Sequence, residues 1–271
     1  MKRQRARKLD KPALQSRRIM TNTLIRTDGT RLVYDRLKDQ HDISTPGLVF
    51  LCGFGSDKEG SKALFLEEHA KKTGQSFVRF DYFGHGQSDG DFKDGTISRW
   101  AEDTLAVIDA LTVGPQILIG SSMGGWLMLL AALARKDRVA ALIGIAAAPD
   151  FTKRLQWKKL TPEQQQICMD QGYVQVPSNY EDDYIFTRAL FEDGAQNLLL
   201  DGPIDLDIPI TLLHGQQDAD VPVEISLEIA QQVSSDDVVI ELVKAADHRF
   251  SGPDELTRLA AAVDTMTEKL S

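Results

Sequence analysis

Cysteine is nearly missing from this chain: Cys52 and Cys168 are the only two in 271 residues. Two thiols cannot build a disulfide framework and match no zinc-ligand spacing, so a reducing compartment and ordinary buried thiols are expected. Long apolar runs are missing too. No stretch approaches the ~20 apolar residues of a membrane span, and no apolar core follows the N-terminal charges. Neither integral membrane association nor secretory export is expected. Nor is there an excess of positive charge. The formal net charge of −9 gives no general attraction to nucleic acid or anionic membrane, and leaves small molecules or protein side chains as partners. Internal repeats and low-complexity tracts are also absent, and the length suits one main domain.

What is present begins with a local contrast. Residues 1–20 carry Lys2, Arg3, Arg5, Arg7, Lys8, Lys11, Arg17 and Arg18 against Asp10 alone, which reads as a solvated basic arm, with a mitochondrial targeting segment or docking tail as the alternatives. From Asn22 onward, β-rich runs alternate with helical ones, the mark of an α/β sheet. TNTLIRT and RLVYDRL flank Asp28-Gly29 and form an opening hairpin. Strands are expected at Gly47–Cys52, Ser76–Asp81, Gln116–Gly120, Val139–Ala148, Pro209–His214 and Val238–Val243. Helices are expected at Ser61–Thr73, from Thr96 to Leu111, and at Ser122–Arg135, Pro222–Val233 and Pro253–Leu270. The stretch 150–206 breaks this alternation with polar, acidic and aromatic residues. It reads as an inserted lid between core segments 21–149 and 207–271, with one helix capped by Thr161 and ended by Gly172.

Three glycine-rich segments invite a chemical reading. Gly120-Ser121-Ser122-Met123-Gly124 is a G-x-S-x-G match with an apolar strand directly before it and a helix directly after. That layout holds a serine in a strained strand-to-helix turn with Oγ exposed. Ser121 has Ile119 two residues before it, so the register selects Ser122 as nucleophile. Gly86-Gln87-Ser88-Asp89-Gly90 matches the same pattern without a following helix, and reads as a structural loop. Gly55 to Gly60 has the spacing of a phosphate-binding loop, but Ser61-Lys62 inverts the required Lys-Ser order, so no nucleotide site is expected.

In folds with such an elbow the acid follows a late strand and the histidine the last one. His248 lies between the final strand and the final helix and is the expected base. His41, His69, His85 and His214 sit less suitably: before the third strand, within a helix, in the glycine loop and at a strand end. Asp218 is the favoured acid, with Asp220 and Asp150 as alternatives suited to capping backbone N–H groups. Backbone donors for a tetrahedral oxyanion are expected from Met123, directly after the nucleophile, and from Phe54 in the loop after the third strand. The alternative reading of both side chains is core packing.

The segments GSSMGGWLMLLAALARKDRVAALIGIAAAPDF, RFDYFGHGQSDG, LLHGQQDADVP and ADHR resemble the family of mitochondrial α/β-hydrolase domain-containing protein ten and its bacterial relatives, from about Leu48 to the C-terminus. The resemblance implies an α/β-hydrolase fold: a mostly parallel eight-stranded sheet with helices on both faces and a helical lid insertion. It also implies a serine hydrolase using Ser122, Asp218 and His248, without cofactor or metal. The implied substrate is a small-molecule acyl ester, such as an acyl glucuronide, or an S-acylated protein. Where the family begins the oxyanion turn with proline, this chain has Cys52. The compartment is expected to be cytoplasmic, with mitochondrial as the alternative.

Rival functions are a non-catalytic small-ligand receptor on the same scaffold and a serine peptidase. Dehalogenases and epoxide hydrolases need an aspartate nucleophile and do not fit. In the lid, Phe151, Trp157, Tyr173, Tyr180, Tyr184, Phe186 and Phe191 either pack its underside or line a slot for an acyl chain. Lys153, Arg154, Lys158 and Lys159 are either a solvated face or a mouth for an acidic leaving group.

Overall fold

A computed structural model describes residues 22–37, 45–177 and 183–271; the basic arm, His41 and Tyr180 lie outside the described residues. The described residues open with β1 (Asn22–Ile25) and β2 (Arg31–Leu37), paired antiparallel across the Asp28-Gly29 turn, where Gly29 takes φ of 84°. Next come β3 (Gly47–Leu51), α1 (Ser61–Thr73) and β4 (Phe77–Phe80). They are followed by α2 (Ile97–Leu111), capped by Thr96, and then by β5 (Gln116–Ser121), α3 (Met123–Ala134) and β6 (Val139–Ile145). Strands β3, β4 and β5 are buried at every position, which is why their sequences do not alternate between apolar and polar; the charged Arg79 in β4 is paired with Asp35 and Glu67.

Between β6 and the next sheet strand lies the insertion. A π-helical turn (Thr152–Gln156) runs into the short α4 (Trp157–Lys159), and Thr161 forms a capping box with Gln164 at the start of α5 (Pro162–Gln171). An antiparallel hairpin follows, β7 (Tyr173–Val176) with β8 (Tyr184–Thr187), and then α6 (Arg188–Gly194). The hairpin is an addition to the mainly helical insertion expected from the sequence. The core resumes with β9 (Ile210–Gly215), α7 (Glu224–Gln232), β10 (Val238–Val243) and α8 (Pro253–Leu270).

The eight strands order β1-β2-β4-β3-β5-β6-β9-β10, antiparallel at β1/β2 and β2/β4 and parallel from β4 onward. From β3 the chain steps one way to β4, then back across β3 to β5. Because βαβ crossovers are right-handed, this reversal puts α1 on one face of the sheet and α2 on the other. Helix α8 packs with α1, and α3 with α2. The reversal also opens a crevice at the carboxyl ends of β3 and β5, where ligands bind in open α/β sheets. Among the described residues, no helix is long and apolar enough to cross a membrane.

Candidate active site

The elbow forms because three backbones must nearly touch. A side chain on Gly120 would overlap the carbonyl of Gly124, and one on Gly124 would overlap the carbonyl of Leu51. Glycine at both positions lets β5, α3 and the end of β3 close on one another. Ser122 sits between them at φ 53° and ψ −118°, a conformation that costs ~1–3 kcal/mol for a residue with a side chain. The surroundings hold it: the Ser122 N–H donates to Ile145 O at 2.9 Å, and Ser122 O accepts from Gly125 N at 2.8 Å and Ala148 N at 3.0 Å.

His248 arrives from the loop between β10 and α8, 126 residues further on, and its Nε2 stands 3.1 Å from Ser122 Oγ. Its Nδ1 lies 2.7 Å from Asp218 Oδ2. Asp218 follows β9, and its side chain is buried. Burial alone would raise its pKa, but hydrogen bonds from His214, His248 and the Val221 N–H outweigh it and hold the carboxyl well below the usual range. An ionised carboxylate only accepts, so Nδ1 of His248 carries the hydrogen and Nε2 is left to accept the Ser122 hydroxyl. The structure therefore brings Ser122, His248 and Asp218 into one chain of hydrogen bonds.

The other acid candidates go elsewhere. Asp150, fully buried, accepts from Leu199 N at 2.8 Å and Leu200 N at 2.9 Å, tying the entry of the insertion to its exit. The Asp220 N–H donates to Asp218 Oδ1, and its carbonyl accepts from Lys159 Nζ. His214, at the end of β9, also reaches the Asp218 carboxylate. Its Nε2 lies 3.3 Å from Asp218 Oδ2 and 3.0 Å from Val221 O, while Ser226 Oγ stands 2.8 Å from Nδ1. Sequence offered one clue to this: histidine four residues before the aspartate, at the end of the same strand. Asp218, Asp220 and His248 present ligand atoms within 4.8 Å of one another, but Asp218 and His248 are already engaged with each other, an arrangement suited to proton transfer more than coordination.

A cavity of about 830 Å³ opens over Ser122. Met123, the first residue of α3, is buried below it, and its N–H is one of the helix-initial donors that lack an intrahelical partner. Phe54 enters from the turn after β3, which closes with Ser56 N donating to Gly53 O at 3.1 Å. The turn lies against the elbow, since a side chain on Gly53 would touch Ser122 Cβ. The Phe54 ring stacks on Phe186 at 5.3 Å and meets Phe151 at 5.7 Å and Tyr184 at 6.0 Å. One wall of the cavity is thus aromatic, contributed largely by the insertion.

The remaining lid aromatics divide differently. Trp157 packs edge-on to Phe191 at 4.9 Å, and Tyr173 carries Lys93 over its ring. Of the basic cluster read as either a solvated face or a mouth, Lys153 pairs with Asp201 and Arg154 with Asp201 and Glu228, while Lys159 Nζ donates to Asp220 O. Among the described residues, Lys62 and Arg249 bring lysine and arginine side chains to the cavity. Lys62 donates to Arg249 O, and burial pushes its pKa down to about 8.

A strand-to-helix elbow at the switch point of such a sheet defines a class, and comparison with known proteins agrees. Residues 46–167 match the family model described as alpha/beta hydrolase fold; the chain belongs to the α/β-hydrolase family and is a hydrolase. More particularly, it is 40% identical over 242 residues to the rat protein named palmitoyl-protein thioesterase ABHD10, mitochondrial, covering 89% of this chain and 80% of that one. The solved structure of α/β hydrolase domain-containing protein 10 from mouse superposes with a TM-score of 0.84 at 38% identity, covering 93% of this chain and 99% of that one. The crystal structure of a protein from Agrobacterium vitis S4 gives a TM-score of 0.87 at 37% identity, covering 91% of this chain and 98% of that one.

Proposed function

We propose that this chain is a serine hydrolase of acyl thioesters and esters, with fatty-acylated cysteine of proteins as its leading substrate class and acyl glucuronides as the second. The observation that carries the reading is Ser122 Oγ 3.1 Å from His248 Nε2, beside a cavity with an aromatic wall. The relatives named palmitoyl-protein thioesterase support the thioester. They also support the mitochondrial alternative for its compartment.

In this reading Ser122 Oγ attacks the acyl carbonyl carbon as its proton passes to His248 Nε2, and ionised Asp218 stabilises the imidazolium. The carbonyl oxygen becomes an oxyanion facing the N–H groups of Phe54 and Met123. Collapse breaks the bond to sulfur or oxygen, and the leaving group takes the proton from His248. Water then repeats the sequence on the acyl-Ser122 ester: its proton goes to His248, its oxygen to the acyl carbon, and Ser122 regains the proton as the acid leaves. Residues 150–206 act as the lid over the acyl chain, with Phe151, Tyr184 and Phe186 turned to the cavity.

A series of acyl thioesters from two to sixteen carbons tests this. kcat/KM should climb with chain length, because each buried methylene contributes ~0.8 kcal/mol, close to fourfold. Activity confined to acetyl and butyryl substrates would refute the slot.

A further inference from the structure

The glycine loop after β4 has no part in the chemistry so far, yet it touches the oxyanion turn directly. His85 is 3% exposed and stands in an aromatic cage, edge-on to Tyr82 at 5.5 Å, Phe92 at 5.0 Å and Trp100 at 5.1 Å. Its Nδ1 lies 3.2 Å from Phe83 O, a group that can only accept, so Nδ1 carries the hydrogen. Nε2 of the neutral ring is then an acceptor, and the Gly55 N–H donates to it at 3.3 Å. Burial pushes the His85 pKa down to about 4, which keeps that acceptor available at neutral pH.

The rest of the loop is anchored on both sides. The Asp81 carboxylate accepts from Lys58 N at 2.7 Å, just beyond the oxyanion turn, and from Gln87 N at 2.9 Å. Ser88, the serine of the second G-x-S-x-G match, donates to Asp81 O at 2.7 Å and accepts from Val33 N at 2.9 Å. The Ser56 N–Gly53 O bond closes the oxyanion turn and the Phe54 ring is packed among aromatics, but Gly53 and Gly55 flank Phe54 and Gly55 adopts φ of 68°, so the tilt of the intervening peptides depends on what their N–H groups meet. Glycines permit many peptide orientations.

The geometry points to His85 as a positioning residue for the oxyanion hole: by holding the Gly55 N–H it fixes the peptide adjoining Phe54, and so aims the Phe54 N–H at the developing oxyanion. This rests on the assignment of Phe54 made under the proposed function. Its worth follows from how catalysis by such donors depends on prior orientation. Removal of a whole donor costs ~10²–10³ in kcat, and loosening one costs less, on the order of tenfold.

The test compares His85→Phe, His85→Gln and His85→Asn with the wild type and Ser122→Ala on one medium-chain thioester, with melting temperatures recorded. His85→Phe keeps an aromatic ring in the cage but has no acceptor; kcat should fall about tenfold or more with KM within about twofold. Affinity for an alkylboronic acid, which forms a tetrahedral adduct on a nucleophilic serine, should fall in proportion to kcat. His85→Gln places Oε1 near the former Nε2 and should restore most of kcat, whereas the shorter His85→Asn should not. Unchanged kcat in His85→Phe, or a loss confined to KM, overturns the inference. If His85→Phe does not fold, the Gln and Asn pair decides, and equal kcat in the two overturns it. Inactive Ser122→Ala beside fully active His85 variants rejects this inference alone. Active Ser122→Ala rejects the underlying reading of the site, and this inference falls with it.

Discussion

Asp218 and His248 meet at 2.7 Å through Oδ2 and Nδ1, and the other oxygen of that carboxylate accepts the backbone N–H groups of Asp220 and Val221 at 2.8 Å each. The turn after β9 therefore fixes one oxygen and leaves the second aimed at the imidazole. A buried carboxylate oriented in this way sets the histidine tautomer as well as its position.

Replacing Asp218 by Asn should lower kcat by ~10³ or more with little loss of folding, because an amide in place of Oδ2 can present a donor to Nδ1 and invert the tautomer. Asp220→Asn should stay within a few-fold of wild type, since it is Asp218 Oδ2 that meets His248 Nδ1. Steady-state kinetics on the two proteins decides; the reverse ranking would move the acid to Asp220.

Stability should depend on pH through His85. Burial lowers its folded pKa from 6.5 to about 4. Between these values the unfolded chain binds the proton and the folded chain does not, so stability rises with pH across the window and is lost as pH falls from 6.5 toward 4. The full difference corresponds to on the order of 3 kcal/mol. Asp218, held low in the folded state, contributes in the same direction at the acidic end. Asp103, whose pKa burial pushes up to about 6, acts in the opposite direction over the same window. Thermal melts between pH 4 and 7 are therefore read as a difference: wild type should lose more stability than His85→Gln as pH falls, and identical slopes would contradict the assignment.

Gly124→Ala places a methyl group against the Leu51 and Cys52 carbonyls, where neither backbone can yield. It should destabilise by ~3 kcal/mol or more and reduce activity by displacing Ser122. Denaturant unfolding checks this: a variant as stable as wild type would mean that the elbow relaxes more easily than its packing implies.

The elbow was legible because steric need at Gly120 and Gly124 is written into two fixed positions around Ser122, between an apolar strand and a helix. The buried parallel strands were legible as continuous apolar runs. The β7/β8 hairpin was not, since YVQV and YIFT are short and no Asn-Gly or Asp-Gly turn joins them. Nor were the partners of Arg154: Asp201 and Glu228 lie 47 and 74 residues away, a pairing only the folded chain creates. His85 read as part of a turn-rich loop because its meaning depends on Gly55, thirty residues earlier and on the neighbouring strand's loop.

The most direct measurement is covalent labelling of the folded protein with a serine-directed fluorophosphonate, followed by mass spectrometry of its peptides and parallel thioester assays of Ser122→Ala. The expected result is one adduct, on Ser122, absent from Ser122→Ala, with kcat of that variant lowered by ~10³ or more. An adduct on a different serine, or thioester turnover undiminished in Ser122→Ala, would contradict it.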